Sequence, residues 1–276
     1  MKYIEQTLNI GAARPFSFLH VSDTHLTYAD ERDGERKVRL AENRSKIFPD
    51  APQNLADTVL KAKELDCFVA HTGDLIDFVS QKNLEEAKAF TDAVDCFMAA
   101  GNHEFSLYVG EAKEDAEYRN QSLDKVQSVF KNDIRFSSRK INGINLISVD
   151  NSYYLFEQWQ TDRLKQELEL SMPTILFLHT PLYSAETYDF CTKDGTELPA
   201  YLMSVPDEKM KRYSPDRYEQ QKQDEITREA FELITNSKNI KAIFAGHLHK
   251  DFEACLTPTI MQFVTGIGTG RIVTIK

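Results

Sequence analysis

With 276 residues, 41% of them hydrophobic and 28% charged, the chain has the make-up of a globular protein with room for one large α/β core, and a single domain over residues 1–276 is expected. Its formal net charge of −10 opposes extended contact with nucleic acid or an anionic membrane, because a polyanion is repelled unless a basic patch or a bound metal intervenes. No stretch approaches the roughly 20 apolar residues needed to cross a bilayer, and the opening MKYIEQTLNIGAARPFSF has no continuous apolar segment, so the cytoplasm is the expected compartment.

In chain order, FSFLHVSD (16–23) reads as a strand running into a polar turn, and NLADTVLKAKEL (54–65) shows helical spacing of apolar residues before the strand CFVAHTGD (67–74). A second amphipathic helix, LEEAKAFTDAV (84–94), leads to CFMAAGNHE (96–104). The repeated unit is β-α-β. Residues 133–150 read as a hairpin, with Asn142-Gly143 as its tight turn, and FEQWQTDRLKQELEL (156–170) as a helix before the strand TILFLHTP (174–181). The helix EITREAFELIT (225–235) precedes the strand IKAIFA, which ends in GHLH (246–249), and short strands with Gly-containing turns follow from Phe252. Cys67, Cys96, Cys191 and Cys255 are far apart in sequence with no C-x-x-C pair. They read as buried reduced thiols with no disulfide or metal role.

Two stretches break this rhythm: residues 27–50, dense in both signs of charge, and residues 184–222, a long connection with several tyrosines and prolines. Connections of that length inside a compact domain point to a lid or a substrate-facing insertion.

The strand ends carry the chemistry. They read Ser22-Asp23-Thr24-His25, Gly73-Asp74, Gly101-Asn102-His103-Glu104, His179 and Gly246-His247-Leu248-His249, and five of the seven histidines fall there. In an open α/β sheet, the carboxyl ends of the strands converge on one ligand-binding crevice. Asp23 and His25, two apart, can reach one ion, and the two oxygens of Asp74 can bridge a pair. Asn102 supplies a neutral oxygen, and His179, His247 and His249 complete a mixed N/O set that suits manganese, iron or zinc better than an all-oxygen cage for magnesium or calcium. Taken singly, Asp74 or Asn102 after a glycine would be a turn residue; the set argues otherwise. His20, inside the first strand, reads as a satisfied core histidine, and His71 similarly, though closer to the site. Asp150-Asn151 reads as a turn or as support behind the site, and Tyr183, Tyr188 and Tyr201 as packing within the insertion.

The ordered blocks D-x-H, G-D, G-N-H-[DE], H and G-H-x-H, running from Asp23 to His249, resemble the calcineurin-like metallophosphoesterases. That resemblance implies an α/β fold of two β-sheets packed as a sandwich and flanked by helices. It implies two divalent or trivalent transition-metal ions, one held by Asp23, His25, Asp74 and His249 and the other by Asp74, Asn102, His179 and His247. It also implies hydrolysis: two metals about 3.5–4 Å apart lower the pKa of a shared water, which attacks phosphorus in line. His103 would stand outside the ligands and protonate the leaving group, with Glu104 holding the imidazole.

Serine/threonine protein phosphatases of this superfamily carry G-D-x-V-D-R-G and an Arg before G-N-H-E. Here the text is GDLIDFVS, and Ala100 precedes Gly101, which argues against that branch. The chain is more similar to the small bacterial branch that includes cyclic-nucleotide and other phosphodiesterases. The expected substrate is therefore a small phosphodiester or nucleotide. The alternatives are a phosphomonoesterase, a nuclease, or an inactive metal-binding scaffold. Since residues 184–222 start after the strand of His179 and return before the helix leading to GHLH, they are expected to cap the pocket and to alter binding beyond the phosphorus while leaving the metals alone.

Overall fold

The computed structural model describes residues 1–111, 113–193 and 200–276. Its strands, in chain order, are β1 (Lys2–Leu8), β2 (Phe16–Val21), β3 (Phe68–His71), β4 (Cys96–Met98), β5 (Phe136–Ile141), β6 (Ile144–Val149), β7 (Thr174–Phe177), β8 (Ile240–Ala245), β9 (Phe252–Thr257), β10 (Ile260–Val264) and β11 (Thr269–Ile275). The helices are α1 (Glu35–Arg44), α2 (Ala51–Glu64), α3 (Gln81–Ala93), α4 (Ala116–Asn120), α5 (Leu123–Gln127), α6 (Gln158–Glu169), α7 (Ala185–Thr192), α8 (Asp207–Met210), α9 (Pro215–Gln221) and α10 (Glu225–Thr235). Two mixed sheets result, one ordered β1-β11-β2-β3-β4 and the other β5-β6-β7-β8-β10-β9.

Alternation within the central strands explains why the sheets stack. Successive side chains point to opposite faces, so Phe18, Phe68 and Ala70 meet Leu146, Phe177 and Phe244 between the sheets, whereas Leu19, Val21 and Val69 face the other way. The Phe18 ring lies 5.5 Å from Phe177 and 5.3 Å from Phe244, both edge-on, a favoured aromatic geometry. On the second sheet, Ile147 and Val149 turn outward and are covered by Leu164 and Leu168 of α6 and Ala230 and Ile234 of α10. Strands apolar on both faces need cover on both faces. The expected two-sheet sandwich with flanking helices is therefore the observed architecture.

Local signals set several boundaries. Ser80 accepts the Asn83 N–H at 2.9 Å and starts α3 three residues before the expected point, while Asp224 accepts the Thr227 N–H at 2.7 Å and starts α10 where expected. Asn142 and Gly143 both take positive φ, 47° and 86°, as a two-residue hairpin turn requires. All four cysteines are free. Cys96 is buried and Cys67 and Cys191 are half-buried, but Cys255 is exposed, because it lies on the outward-facing side of the edge strand β9. His20 bonds Thr72 Oγ1 and Thr265 Oγ1, each at 2.9 Å, a satisfied core histidine. Among the described residues, no helix is long and apolar enough to cross a membrane.

Strands β2, β3 and β4 are parallel neighbours, as are β7 and β8. Their carboxyl ends lead into the seven candidate metal ligands, His103 and Glu104.

Candidate metal centre

The loops leaving these strands are wound tightly and tied to one another. The Asp23 N–H donates to the Gly73 carbonyl at 3.0 Å, the His25 N–H to the Asp74 carbonyl at 2.8 Å, and the His247 N–H to both Asp23 oxygens at 3.1 and 2.9 Å. Asp23, His25, Asp74, His247 and His249 all have φ between 52° and 68°, a left-handed conformation uncommon outside glycine. The glycine before Asn102 is dictated by space, since a Cβ on Gly101 would lie 2.2 Å from Asp74 Oδ1. On Gly246 it would lie 1.8 Å from Ser22 Oγ. Close approach of backbones thus accounts for the glycines in the GN and GH blocks.

Two donor groups emerge. In the first, His25 Nε2 lies 3.0 Å from His249 Nε2, 3.9 Å from Asp23 Oδ1 and 3.6 Å from Asp74 Oδ2. In the second, His179 Nε2 lies 3.3 Å from Asp74 Oδ2, 3.2 Å from Asn102 Oδ1 and 3.1 Å from His247 Nδ1. Asp23, His25, Asp74 and His249 form one cluster able to hold an ion, and Asp74, His179 and His247 another. All seven candidate ligands are therefore brought together, with Asp74 in both groups. One detail differs from the sequence expectation: Asp74 Oδ1 accepts the His103 N–H at 2.9 Å, so Oδ2 alone faces both groups.

Hydrogen bonds behind the rings decide which nitrogen has a lone pair to offer. His25 Nδ1 is 2.8 Å from Asp77 Oδ1 and His179 Nδ1 is 2.7 Å from the Thr72 carbonyl. Each of these acceptors requires an N–H, which leaves Nε2 unprotonated in the neutral ring and aimed at the donor group. Burial lowers the pKa of His25, and burial together with His179 holds His247 well below its ordinary value. His25 and His247 therefore stay neutral, whereas at His179 burial is outweighed by the Asp74 carboxylate, which pushes that imidazole up to about 9, so an ion bound there would displace its Nε2 proton. His25 Nε2 points at His249 Nε2 and at the Asp23 and Asp74 carboxylates, so nitrogen and oxygen donors converge on one point. The donor set thus fits bound metal ions.

His103 stands beside both groups. Its Nδ1 is 2.8 Å from the Asp77 carbonyl and 3.2 Å from Asp77 Oδ1, and Nε2 has no hydrogen-bond partner among the described residues. Burial opposes its charge, but the Asp74 and Asp77 carboxylates outweigh burial and push the imidazole up to about 10. Glu104, expected to hold this ring, does something else. Fully buried, it accepts the N–H groups of Asp74, Leu75 and Gly101, each at 2.7 Å, and of Ile76 at 3.2 Å. It clamps two loops together, and Asp77 orients His103.

Asp77 is the main residue that sequence reasoning missed, although it lies three positions after Asp74 in the text GDLID. Besides both histidines it binds Arg44, at 2.6 Å from Nε and 2.8 Å from Nη2. Phe48 stacks on His25 with centroids 4.2 Å apart. The charged stretch 27–50 therefore buttresses the first donor group. Asn151 accepts the N–H groups of His179 and Thr180, both at 3.0 Å, which is the supporting role its position suggested. His71 bonds Thr24 Oγ1 at 3.0 Å and the Gly73 N–H at 3.2 Å, a structural role in the same loops.

The described parts of the connection, 184–193 and 200–222, pack around Leu202, Val205 and Met210, and Tyr183, Tyr188 and Leu248 join that cluster, while 194–199 lie outside the described residues. Leu248 lies between the two histidines of GHLH, so this packing anchors the connection at the crevice. Tyr183 and Tyr188 pack inside it as expected, but Tyr201 lies 6.0 Å from the His247 ring, with the Arg217 guanidinium 4.5 Å above it. The connection also touches a residue that bonds to a candidate ligand. Arg217 donates to the Tyr154 hydroxyl at 3.4 Å, and that hydroxyl is 2.8 Å from His247 Nε2.

A family profile, that of the calcineurin-like phosphoesterases, matches residues 16–251. Among solved structures, a dimetal phosphatase from Danio rerio is similar with a TM-score of 0.53 at 14% identity, covering 92% of this chain and 88% of that one. A phosphopantetheinyl hydrolase from Mycobacterium tuberculosis gives a TM-score of 0.47 at 11% identity, with 91% and 90% covered. A calcineurin-like phosphoesterase from Bacillus subtilis gives 0.43 at 11% identity, with 92% and 82% covered. At such identities the likeness to the first of these is one of fold. Comparison with curated proteins gives no significant match.

Proposed function

The chain belongs to the calcineurin-like phosphoesterase family, and on that premise we propose that it is a dinuclear phosphodiesterase acting on a small phosphodiester or nucleotide. Asp23, His25, Asp74 and His249 would hold one transition-metal ion, and Asp74, Asn102, His179 and His247 would hold the other. The observation that carries this reading is Asp74 Oδ2, 3.6 Å from His25 Nε2 and 3.3 Å from His179 Nε2, one oxygen shared by two otherwise separate donor groups. When bound, manganese, iron or zinc ions supply Lewis acidity and a water acidic enough to attack phosphorus at neutral pH.

The chain's own residues do the rest. Asp77 fixes the Nδ1–H of His103, so the imidazolium presents its Nε2–H for donation to a departing oxygen. His103 stands outside both donor sets, so it moves a proton without disturbing a ligand. The 184–222 connection acts as a cap, and Tyr201 and Arg217 beside His247 offer a ring face and a cation to the group beyond the phosphorus. That pairing suits a nucleotide-sized ester, and the net charge of −10 disfavours a long polyanion. We place its work in the cytoplasm, which four free thiols support.

Turnover by manganese-loaded protein tests the reading, with bis-p-nitrophenyl phosphate, p-nitrophenyl phosphate, cyclic nucleotides and short oligonucleotides as substrates. Diesters of nucleotide size should be preferred. Preference for the monoester would make it a phosphomonoesterase, preference for oligonucleotides a nuclease, and no turnover with both ions bound a scaffold.

A further inference from the structure

Helix α9 reaches the metal crevice at two points, and both lead to the same donor group. Gln220 Nε2 donates to Glu114 Oε2, and Glu114 Oε1 accepts from Asn102 Nδ2 at 3.1 Å. On the other side, Arg217 donates to Tyr154, whose hydroxyl lies 2.8 Å from His247 Nε2. From α9 the described hydrogen bonds reach the first group only by continuing through His247 itself, whose backbone N–H donates to Asp23.

Each chain settles an ambiguity that the metal-facing side chain cannot settle alone. An amide can present oxygen or nitrogen to a cation, and only oxygen binds. Glu114, as a carboxylate, accepts only, so it holds Nδ2 and turns Oδ1 toward His179, 3.2 Å away. His247 faces its donor group through Nδ1, 3.1 Å from His179 Nε2, and so must carry its proton on Nε2. The Tyr154 hydroxyl, 2.8 Å from that nitrogen, offers a lone pair for the proton. Tyr154 also sits at φ 67°, a costly conformation for a bulky residue that surrounding contacts must maintain. Arg217 is one of those contacts.

We infer that α9 is a positioning element for one metal site only: docked through Arg217 and Gln220, it sets the affinity of the Asp74, Asn102, His179 and His247 group and leaves the other group unaffected. This rests on the two-metal reading proposed above. Linkage makes the effect reciprocal, so filling the second site must tighten the docking of α9.

The test titrates the full, metal-free chain with manganese(II) by calorimetry, checked by elemental analysis. A His249→Gln background isolates the second group, and a His247→Gln background isolates the first. Adding Arg217→Ala with Gln220→Ala should weaken binding about 10-fold or more in the His249→Gln background, the usual cost of losing outer partners of a ligand, and not at all in the other. Lys222→Ala, on the exposed end of the same segment, should change neither. Equal weakening in both backgrounds would mean that the cap is merely structural, and no weakening would remove the positioning role; either overturns the inference. Failure of the parent chain to bind two ions would instead sink the two-metal reading. If the double variant does not fold, hydrogen exchange replaces it. The α9 amides should then gain protection when manganese fills the second group and none when it fills the first, and equal protection would refute the inference.

Discussion

Asp77→Asn is the most informative single change, because one buried carboxylate serves His25, His103 and Arg44 at once. Asp77 is 0% exposed and Arg44, its bidentate partner, only 19%. Asparagine keeps the shape but offers one acceptor oxygen where three donors now converge, and it leaves the Arg44 guanidinium without its counter-charge. Breaking a buried pair in this way costs roughly 3–5 kcal/mol, and the partial access of Arg44 to water places this case at about 3 kcal/mol. At about 2–4 °C per kcal/mol for a chain of this size, the metal-free melting temperature should fall by about 6–12 °C. The His25 ring loses the carboxylate that accepts its Nδ1–H, so affinity at the first site should fall roughly 10- to 100-fold, while His103 keeps the Asp77 backbone carbonyl and loses the neighbouring negative charge that favours its protonated form. Turnover should fall further for alkyl than for p-nitrophenyl esters, since only the former need protonation. Scanning calorimetry, manganese titration and the two ester classes measure these effects separately. Arg44→Met in the same background should restore part of the melting temperature and none of the turnover, because it removes the stranded charge without replacing the histidine acceptor. An Asp77→Asn protein with unchanged first-site affinity and an unchanged ratio between the ester classes would refute the reasoning.

Asp74→Ala should lose both ions and essentially all hydrolysis while circular dichroism still shows the folded sheets; two tightly held ions by elemental analysis would contradict the bridge. His103→Asn should keep both ions but lower turnover by roughly 10²–10⁴-fold, with a smaller loss for p-nitrophenyl esters, and equal losses across leaving groups would make it a phosphate-positioning residue. Burial pushes the Cys96 thiol up to about 12, so at pH 8 only about one part in 10⁴ is thiolate, the reactive form. Exposed Cys255 should accordingly be alkylated first under native conditions and Cys96 only after unfolding, as peptide mapping would show.

What could be read from the sequence was whatever is written contiguously. A strand followed by a glycine and a polar residue is a local pattern, so the ends bearing Asp23, Asp74, Asn102, His179 and His247 were found together with the sheets that carry them. The helix α1 escaped because it buries only Ala41, leaving no apolar stripe for periodicity to detect. Strand β1 escaped because its partner, β11, is at the other end of the chain. Asp77 lies in GDLID with no local pattern to mark it, and only its two histidine contacts reveal what it does. Glu114, Tyr154 and Arg217 belong to irregular segments or a short cap helix, and they reach the centre through pairings between residues far apart in sequence. No local spacing encodes such contacts.

The role of Glu104 illustrates how the site carries the conformational cost of its own geometry. Five of the seven candidate ligands adopt left-handed backbone conformations, each a sparsely populated state that costs of order 1–3 kcal/mol unless its surroundings fix it. Aspartate and histidine tolerate this region better than most residues, which keeps that cost toward its lower end. What remains must be met by contacts that the loops could not make if relaxed. The loops of Asp23 and His25 bond to the carbonyls of Gly73 and Asp74, and the loops of Asp74 and Asn102 share one Glu104 carboxylate through four N–H groups. Burial and the neighbouring Asp74 carboxylate push the Glu104 acid up to about 7 against the pull of these N–H groups, so its charged form depends on the four donors, which converge only while both loops are wound as observed. The acid in the G-N-H-E block therefore acts on the ligands through the backbone, holding Asp74 where a single oxygen can face two donor groups.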